Sequence, residues 1–126
     1  MLPAAMRYPM AGHTAYSDEE RNIVRAGISA VRAVLFGADV EAVRRLLYCL
    51  DWFMDPYYQN DLGDMAQPLK KALQELTVTT RTPDVAEEAL SLLEYTEPPY
   101  EILRARLVDV LPQQQPYARY LLSLGE

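Results

Sequence analysis

A short motif occurs twice in this chain of 126 residues, each time where one apolar helical pattern ends and another begins. The first copy, LDWFMDPY, runs from Leu50 to Tyr57, and the second, LEYTEPPY, runs from Leu93 to Tyr100. Leucine, acid and aromatic ring match position by position, and Pro-Tyr recurs at the same offset. A spacing in the low forties between helix ends is typical of stacked helical hairpins. The echo therefore predicts two hairpins whose corners are the two motifs.

The first half of the chain carries local signals for two helices. Ser17 followed by Glu20 predicts a capping box that opens a helix continuing to Gly37. Asp39 caps a second helix, which must end before Pro56 because a proline disfavours helical geometry in the residue before it. Small residues inside the first helix would let a neighbouring helix approach closely; they are Ala26, Gly27 and Ala30. The apolar stripe of the second helix consists of Val40, Val43, Leu47, Leu50 and Met54.

The second half predicts four more helical stretches. An apolar face runs from Leu62 to Leu76 and is crossed by Pro68. Either the helix is kinked at this proline or Pro68 opens a shorter helix that ends near Leu76, and we favour a break with both halves helical. The β-branched run from 77 to 80 is expected to terminate this stretch. Thr82 and Pro83 form the strongest start signal of the chain, with threonine as the N-cap and proline at the first helical position. Two later helices are expected to open at Pro99 and Pro116.

The fold class that follows is all-α, because no segment has the alternating pattern of a strand. About six helices are expected in stacked antiparallel helical hairpins, and an irregular helical bundle is the alternative. Residues 1–16 contain Pro3, Pro9 and Gly12 with little periodicity, so we interpret them as an N-terminal arm. Residues 17–126 are expected to form a single helical domain.

The composition argues against several classes of partner and location. Eighteen acidic residues against twelve basic ones give a net charge of -6, which repels nucleic-acid phosphates and suits a basic protein surface. The single cysteine, Cys49, precludes a disulfide within the chain and fits a reducing compartment. No stretch resembles a secretory signal or a membrane span. We therefore expect a cytoplasmic protein that binds neither nucleic acid nor membrane.

Signatures of catalysis are missing from the sequence. The one histidine, His13, has no further ligands at zinc-site spacing, and there is no phosphate-binding glycine loop or serine elbow. Asp51 and Asp55 are four residues apart, but nothing marks them as a buried catalytic pair. We expect no cofactor, no metal and no enzymatic activity.

Acids at the helix ends give the clearest functional signal. Asp51, Asp55, Glu94 and Glu97 sit at helix C-termini, where a carboxylate opposes the helix dipole. Aromatic residues are interleaved with them, and such rings are enriched at the energetic centres of protein interfaces. If stacking brings the two corners together, they form one binding edge. The candidate partner-binding residues are Asp51, Trp52, Asp55, Tyr57, Tyr58, Glu94, Tyr95, Glu97, Tyr100 and Glu101.

Two resemblances follow from these patterns. From Val40 to Leu111 the 43-residue echo resembles the helical repeats of HEAT-type proteins, although the aspartate-and-arginine punctuation of that family is not clearly present. The small, acidic, helical chain with an aromatic and acidic edge is also similar to the immunity proteins of bacterial toxin–immunity pairs. That resemblance implies binding and blocking a basic cognate toxin. Neither resemblance carries a diagnostic motif, so neither transfers residue roles.

The leading hypothesis is a non-catalytic protein-binding module, most concretely an immunity protein that occludes a basic toxin. A homo-oligomeric scaffold or regulatory adaptor, for example a homodimer joined through the region of Trp52 and Tyr95, is the alternative. A small helical enzyme is the third option.

Overall fold

The computed structural model describes residues 16–125, which form seven α-helices and no strand, so the all-α prediction is confirmed. The chain divides into two compact units, Met1–Leu62 and Gly63–Glu126. Apart from Tyr16, the predicted arm lies outside the described residues. The unit boundary falls inside the connection of the first predicted hairpin, and the single-domain organisation stays a prediction.

The first unit contains helices α1 (Asp18–Ala26) and α2 (Ile28–Leu35) where the sequence predicted one continuous helix. Gly27 separates them because its φ of 110° lies outside the helical region, in backbone space that favours glycine. A Cβ added at Gly27 would meet nothing within 4 Å. The prediction that this glycine allows close helix approach is therefore wrong: it is needed for its backbone conformation.

The predicted capping box opens α1. The Ser17 amide donates to Glu20 at 2.7 Å, and the Ser17 hydroxyl accepts from the Glu19 amide at 3.3 Å. Glu20 is buried, and its second carboxylate oxygen lies 3.6 Å from the Arg45 guanidinium. The box thus also joins α1 electrostatically to the longest helix of this unit.

Helix α3 (Val40–Met54) follows the prediction closely at both ends. Asp39 caps it by accepting from the Ala42 amide at 3.1 Å, and the helix stops just before Asp55 and Pro56. Its buried residues face α1 and α2, so this helix supplies most of the core of the unit. They are Val43, Leu46, Leu47, Cys49 and Leu50.

Helix α4 (Ala66–Thr79) opens the second unit after a 3-10 turn at Gly63–Met65. Pro68 lies in its first turn, where a missing amide donor breaks no helical hydrogen bond, so the helix is not divided there. The β-branched run does not end the helix at Leu76 either. The Thr77 hydroxyl donates to the Leu73 carbonyl at 2.8 Å, and burial of Thr77 and Val78 outweighs their weak helix propensity.

Helix α5 (Pro83–Leu93) packs most extensively on α4. Thr82 and Pro83 occupy the predicted N-cap and first positions, but the Thr82 side chain makes no capping hydrogen bond. The chain continues through the short α6 (Glu101–Ala105), which contacts α4, and ends in α7 (Gln115–Ser123), which packs against α5 and α6. The fifth predicted helix is thus much shorter than expected, and 3-10 turns at Leu107–Asp109 and Pro112–Gln114 complete the path.

The two echoed motifs have different local structures. In the first, Pro56 begins a 3-10 turn and Tyr57 is 74% exposed. In the second, the helix ends at Leu93, and Tyr100, the counterpart of Tyr57, is only 2% exposed. The motifs match in sequence, but their final tyrosines have opposite environments.

Candidate functional site

The first candidate site lies where α3 ends. We call it the aromatic corner and define it as Trp52, Tyr57 and Tyr58 together with Asp51 and Asp55. Asp55 leaves the helix with an extended ψ of 119°, and the 3-10 turn Pro56–Tyr58 follows directly. The chain therefore reverses at a proline-directed break that the sequence specifies locally.

Short-range hydrogen bonds fix the backbone of the aromatic corner. The Asp55 carboxylate accepts from the Tyr57 amide at 2.9 Å and so caps the 3-10 turn. The Asn60 side-chain amide donates to the Trp52 carbonyl at 3.0 Å, which ties the outgoing chain to the end of α3. The Asp55 amide also donates to the Asp51 carbonyl at 3.0 Å. The partners in these three hydrogen bonds are at most eight residues apart.

The three rings of the corner contact one another in sequence. Tyr57 meets Tyr58 edge-to-face with centroids 5.1 Å apart, and Tyr58 lies 6.0 Å from Trp52 at a 45° tilt. Trp52 in turn packs edge-to-face on Phe53 at 4.9 Å. Trp52 and Tyr58 are half-buried, whereas Tyr57 projects into solvent. The corner is therefore a supported aromatic cluster with one exposed member.

Negative charge surrounds these rings in the sequence. Between residues 46 and 62 the chain has Asp51, Asp55 and Asp61 and neither lysine nor arginine. Asp51 and Asp55 are half-buried and lie one helical turn apart. The structure thus brings together the five site residues predicted in this unit. It also gives Asp55 a capping role, which explains an acid at this helix end without any partner.

The predicted residues of the second corner are Glu94, Tyr95, Glu97, Tyr100 and Glu101, all in the second unit. Tyr100 is buried, and its hydroxyl lies 2.9 Å from the Thr96 carbonyl and 3.1 Å from the Leu93 carbonyl. The Leu93 carbonyl also accepts from the Thr96 amide at 2.9 Å and from the Thr96 hydroxyl at 2.6 Å, so the Tyr100 hydroxyl joins a hydrogen-bonded turn that follows α5. Tyr100 therefore stabilises the corner and presents no surface to a partner.

Two polar residues of α4 form hydrogen bonds to the second corner, and neither was predicted from the sequence. Gln74 is buried, and its side-chain oxygen accepts from the Ile102 and Leu103 amides at 3.0 and 3.1 Å, capping α6. The Lys70 ammonium donates to the Glu97 carbonyl and lies 5.1 Å from the centre of the Tyr100 ring. These partners are 27 to 29 positions apart, so no local pattern could have indicated them.

Glu94 also has an internal partner, because the Tyr117 hydroxyl donates a hydrogen bond to its carboxylate. Partial burial, followed by this bond to Glu94, raises the pKa of Tyr117 above its usual value of 10.0. Tyr95, Glu97 and Glu101 remain exposed. Two further apolar residues near the C-terminus are exposed: Tyr120 on α7, which is 52% exposed, and Leu124, which caps the end of that helix. They follow Tyr117 at helical spacing on one stripe.

Groups able to perform covalent chemistry are poorly placed in the described part of the chain. Cys49 is buried, and burial raises the pKa of its thiol to about 12, so the nucleophilic thiolate is suppressed. Between residues 16 and 125 no three His, Cys, Asp or Glu side chains cluster as a metal site requires. His13 lies outside the described residues. Two open grooves of about 400 and 690 Å³ in the second unit are lined by neither cysteine nor histidine.

Comparison of the chain with protein-family models, curated proteins and solved structures gives no match. The HEAT-like and immunity-like resemblances therefore stay interpretations of the sequence pattern. Within residues 16–125, no helix has both the length and the apolar character needed to cross a membrane. The predicted alignment of the two corners along one edge stays a prediction, since they belong to different units.

Proposed function

We propose that this chain is a non-catalytic protein-binding module that binds a basic partner through the aromatic corner. Its most concrete form is a bacterial, cytoplasmic immunity protein that blocks a basic toxin. The observation that carries the proposal is the exposed Tyr57 ring, held by a capped turn beside Asp55 and supported by Tyr58 and Trp52.

The energetic argument rests on preorganisation. An exposed tyrosine on a fixed turn offers a large contact area and loses little conformational entropy on binding. Tyr58 and Trp52 support it from behind, so a partner would meet a formed surface. Rings of this kind commonly act as binding anchors.

The charges of the corner would act mainly on the rate of association with the partner. Asp51 and Asp55 give the corner a negative character, and the whole chain carries a net charge of -6. Such charges accelerate association with a basic protein and disfavour acidic competitors. In a nuclease-like toxin the carboxylates would occupy the positions of substrate phosphates, and the rings would fill neighbouring pockets. Inhibition would then be occlusion of the toxin's basic surface.

The proposal can be tested in a growth assay. An immunity gene lies directly beside the gene of its toxin, so the product of the neighbouring gene is expressed with and without this chain. We expect wild-type chain to restore growth and a chain carrying Tyr57→Ala, Asp51→Asn and Asp55→Asn to restore it much less. Val108→Ala, which truncates an exposed side chain of the second unit, is the control and should protect fully. Full protection by the corner variant at equal expression would contradict the proposal.

A homodimer is a second candidate, favoured by the exposed Tyr120 of α7 and the exposed Leu124 that caps the end of this helix. Exposed apolar residues at helical spacing can pack against the same stripe of a second copy. Sedimentation over a hundredfold range of concentration tests this. A mass that doubles for wild type and stays monomeric for Tyr120→Ala would support it, and a constant monomer mass would exclude it.

A further inference from the structure

The exposed ring of the aromatic corner has the chemistry of a cation acceptor. The face of an aromatic ring carries negative electrostatic potential and attracts ammonium and guanidinium groups. Tyr57 has most of its surface in solvent, and its edge-to-face contact with Tyr58 orients the two rings 89° apart. A cation at this place can therefore meet one ring face without displacing the other ring.

A carboxylate is fixed beside this ring. Asp55 precedes Tyr57 by two residues and accepts a hydrogen bond from its backbone amide through one oxygen, so the carboxylate is held at the backbone of the residue that carries the ring. A carboxylate has two oxygens and can accept further hydrogen bonds from a charged donor. The corner thus presents an exposed ring and a carboxylate from one capped turn.

The same unit already contains this combination in an occupied form. The Arg21 guanidinium lies 5.2 Å from the centre of the Tyr16 ring and pairs with the Asp18 carboxylate. One arginine therefore contacts a tyrosine face and an aspartate simultaneously at the start of α1. In the aromatic corner, Tyr57 and Asp55 offer the aromatic and acidic members of such a triplet.

From this we infer that the partner inserts an arginine side chain into the aromatic corner, with its guanidinium against the Tyr57 ring and paired with Asp55. The inference rests on the proposed function, because it names the partner group that the same surface would bind. Arginine is favoured over lysine for a physical reason. Its planar guanidinium is weakly hydrated, stacks on aromatic rings and donates from a fixed fork, whereas the lysine ammonium is a strongly hydrated point charge.

Trp52 is the only tryptophan of the chain, so its fluorescence reports on this corner alone. The full chain is titrated with two capped pentapeptides of equal charge, one with arginine at its second and fourth positions and one with lysine there. We expect a saturable change in Trp52 emission and tighter binding of the arginine peptide by at most about fivefold, the upper limit set by an exposed cation–ring contact, part of which lysine also makes. Tyr57→Ala should abolish this preference and leave weak, salt-sensitive binding of both peptides. Val108→Ala, which truncates an exposed side chain of the second unit, should preserve it.

Equal affinities for the two peptides, or an arginine preference that survives Tyr57→Ala, would overturn the inference. Failure here is distinguishable from failure of the proposed function, which the growth assay measures separately. If the corner variant loses protection but the two peptides bind with equal affinity, the protein-binding proposal stands and the inference of an inserted arginine is wrong. If the arginine peptide binds more tightly but the corner variant still protects fully in the growth assay, the guanidinium site stands and the proposed function is wrong.

Discussion

The Asp55 carboxylate accepts a hydrogen bond from the backbone amide of Tyr57, with the two atoms 2.9 Å apart. One side chain thus supplies part of the negative charge of the corner and fixes the backbone of the residue whose ring the partner would meet. From its position at a helix C-terminus, this carboxylate would be expected to oppose the dipole of α3 and to cost stability. Because it caps the following turn, we now expect its removal to destabilise the protein.

Two replacements of Asp55 distinguish its role as a hydrogen-bond acceptor from its negative charge. Asp55→Ala should lower the free energy of unfolding by about 0.5–2 kcal/mol, the range measured for lost helix caps. Asp55→Asn keeps an acceptor oxygen and should lose much less. Urea unfolding followed by Trp52 fluorescence measures both variants in the unit that contains the turn. Equal losses for alanine and asparagine would show that the capping bond contributes nothing.

The buried stripe of α3 should tolerate truncation poorly. Leu47→Ala and Leu50→Ala should each cost about 2–5 kcal/mol, because both side chains are buried and truncation leaves a cavity. Val40→Ala, at the exposed start of the same helix, is the control and should change stability by less than about 0.5 kcal/mol. Denaturant unfolding with an unchanged slope tests this. Losses below about 1 kcal/mol at both leucines would be inconsistent with a packed stripe.

Replacing Gln74 should lower the free energy of unfolding, because its side chain caps α6. Gln74→Leu leaves the Ile102 and Leu103 amides without their acceptor and should cost about 1–3 kcal/mol. Gln67→Leu, at an exposed position of the same helix, is the matched control and should be nearly neutral. Far-UV circular dichroism during urea unfolding follows both, since the second unit contains no tryptophan. Similar losses in the two variants would argue against a capping role for Gln74.

Cys49 should react slowly in the folded protein and make it sensitive to alkali. Burial raises the pKa of the thiol from 9.0 to about 12, so at pH 8 iodoacetamide should modify it on the order of a thousandfold more slowly than in urea. A raised pKa favours the protonated thiol. Its contribution to stability is therefore complete below pH 9 and is lost as the pH rises towards 12. Modification at the same rate with and without urea would mean that the thiol is accessible.

The parts of the fold that the sequence predicted depend on short-range rules. The capping box at Ser17, the cap at Asp39 and the end of α3 before Pro56 all involve residues within four positions of one another, and all three are present. The aromatic corner belongs to this class, since its turn is set by Asp55 and Pro56. Sequence reasoning could therefore locate this candidate surface.

The missed features depend on tertiary contacts or on conformation. Burial keeps Thr77 helical although its propensity is weak, and the Gly27 backbone turns out of the helical region within an otherwise helical pattern. Tyr57 and Tyr100 occupy matching positions of the echo, yet Lys70 and the carbonyls at the end of α5 surround only Tyr100. Exposure cannot be read from a motif when distant residues decide it.

The most direct test of the account measures association and dissociation rate constants with the purified product of the neighbouring gene. Asp51→Asn with Asp55→Asn should lower the association rate, and the difference from wild type should shrink as salt rises, because exposed charges are screened beyond about 8 Å at physiological ionic strength. Tyr57→Ala should instead raise the dissociation rate, as expected for an anchoring ring. Wild-type rate constants for every variant at every salt concentration would show that the aromatic corner is not the binding surface.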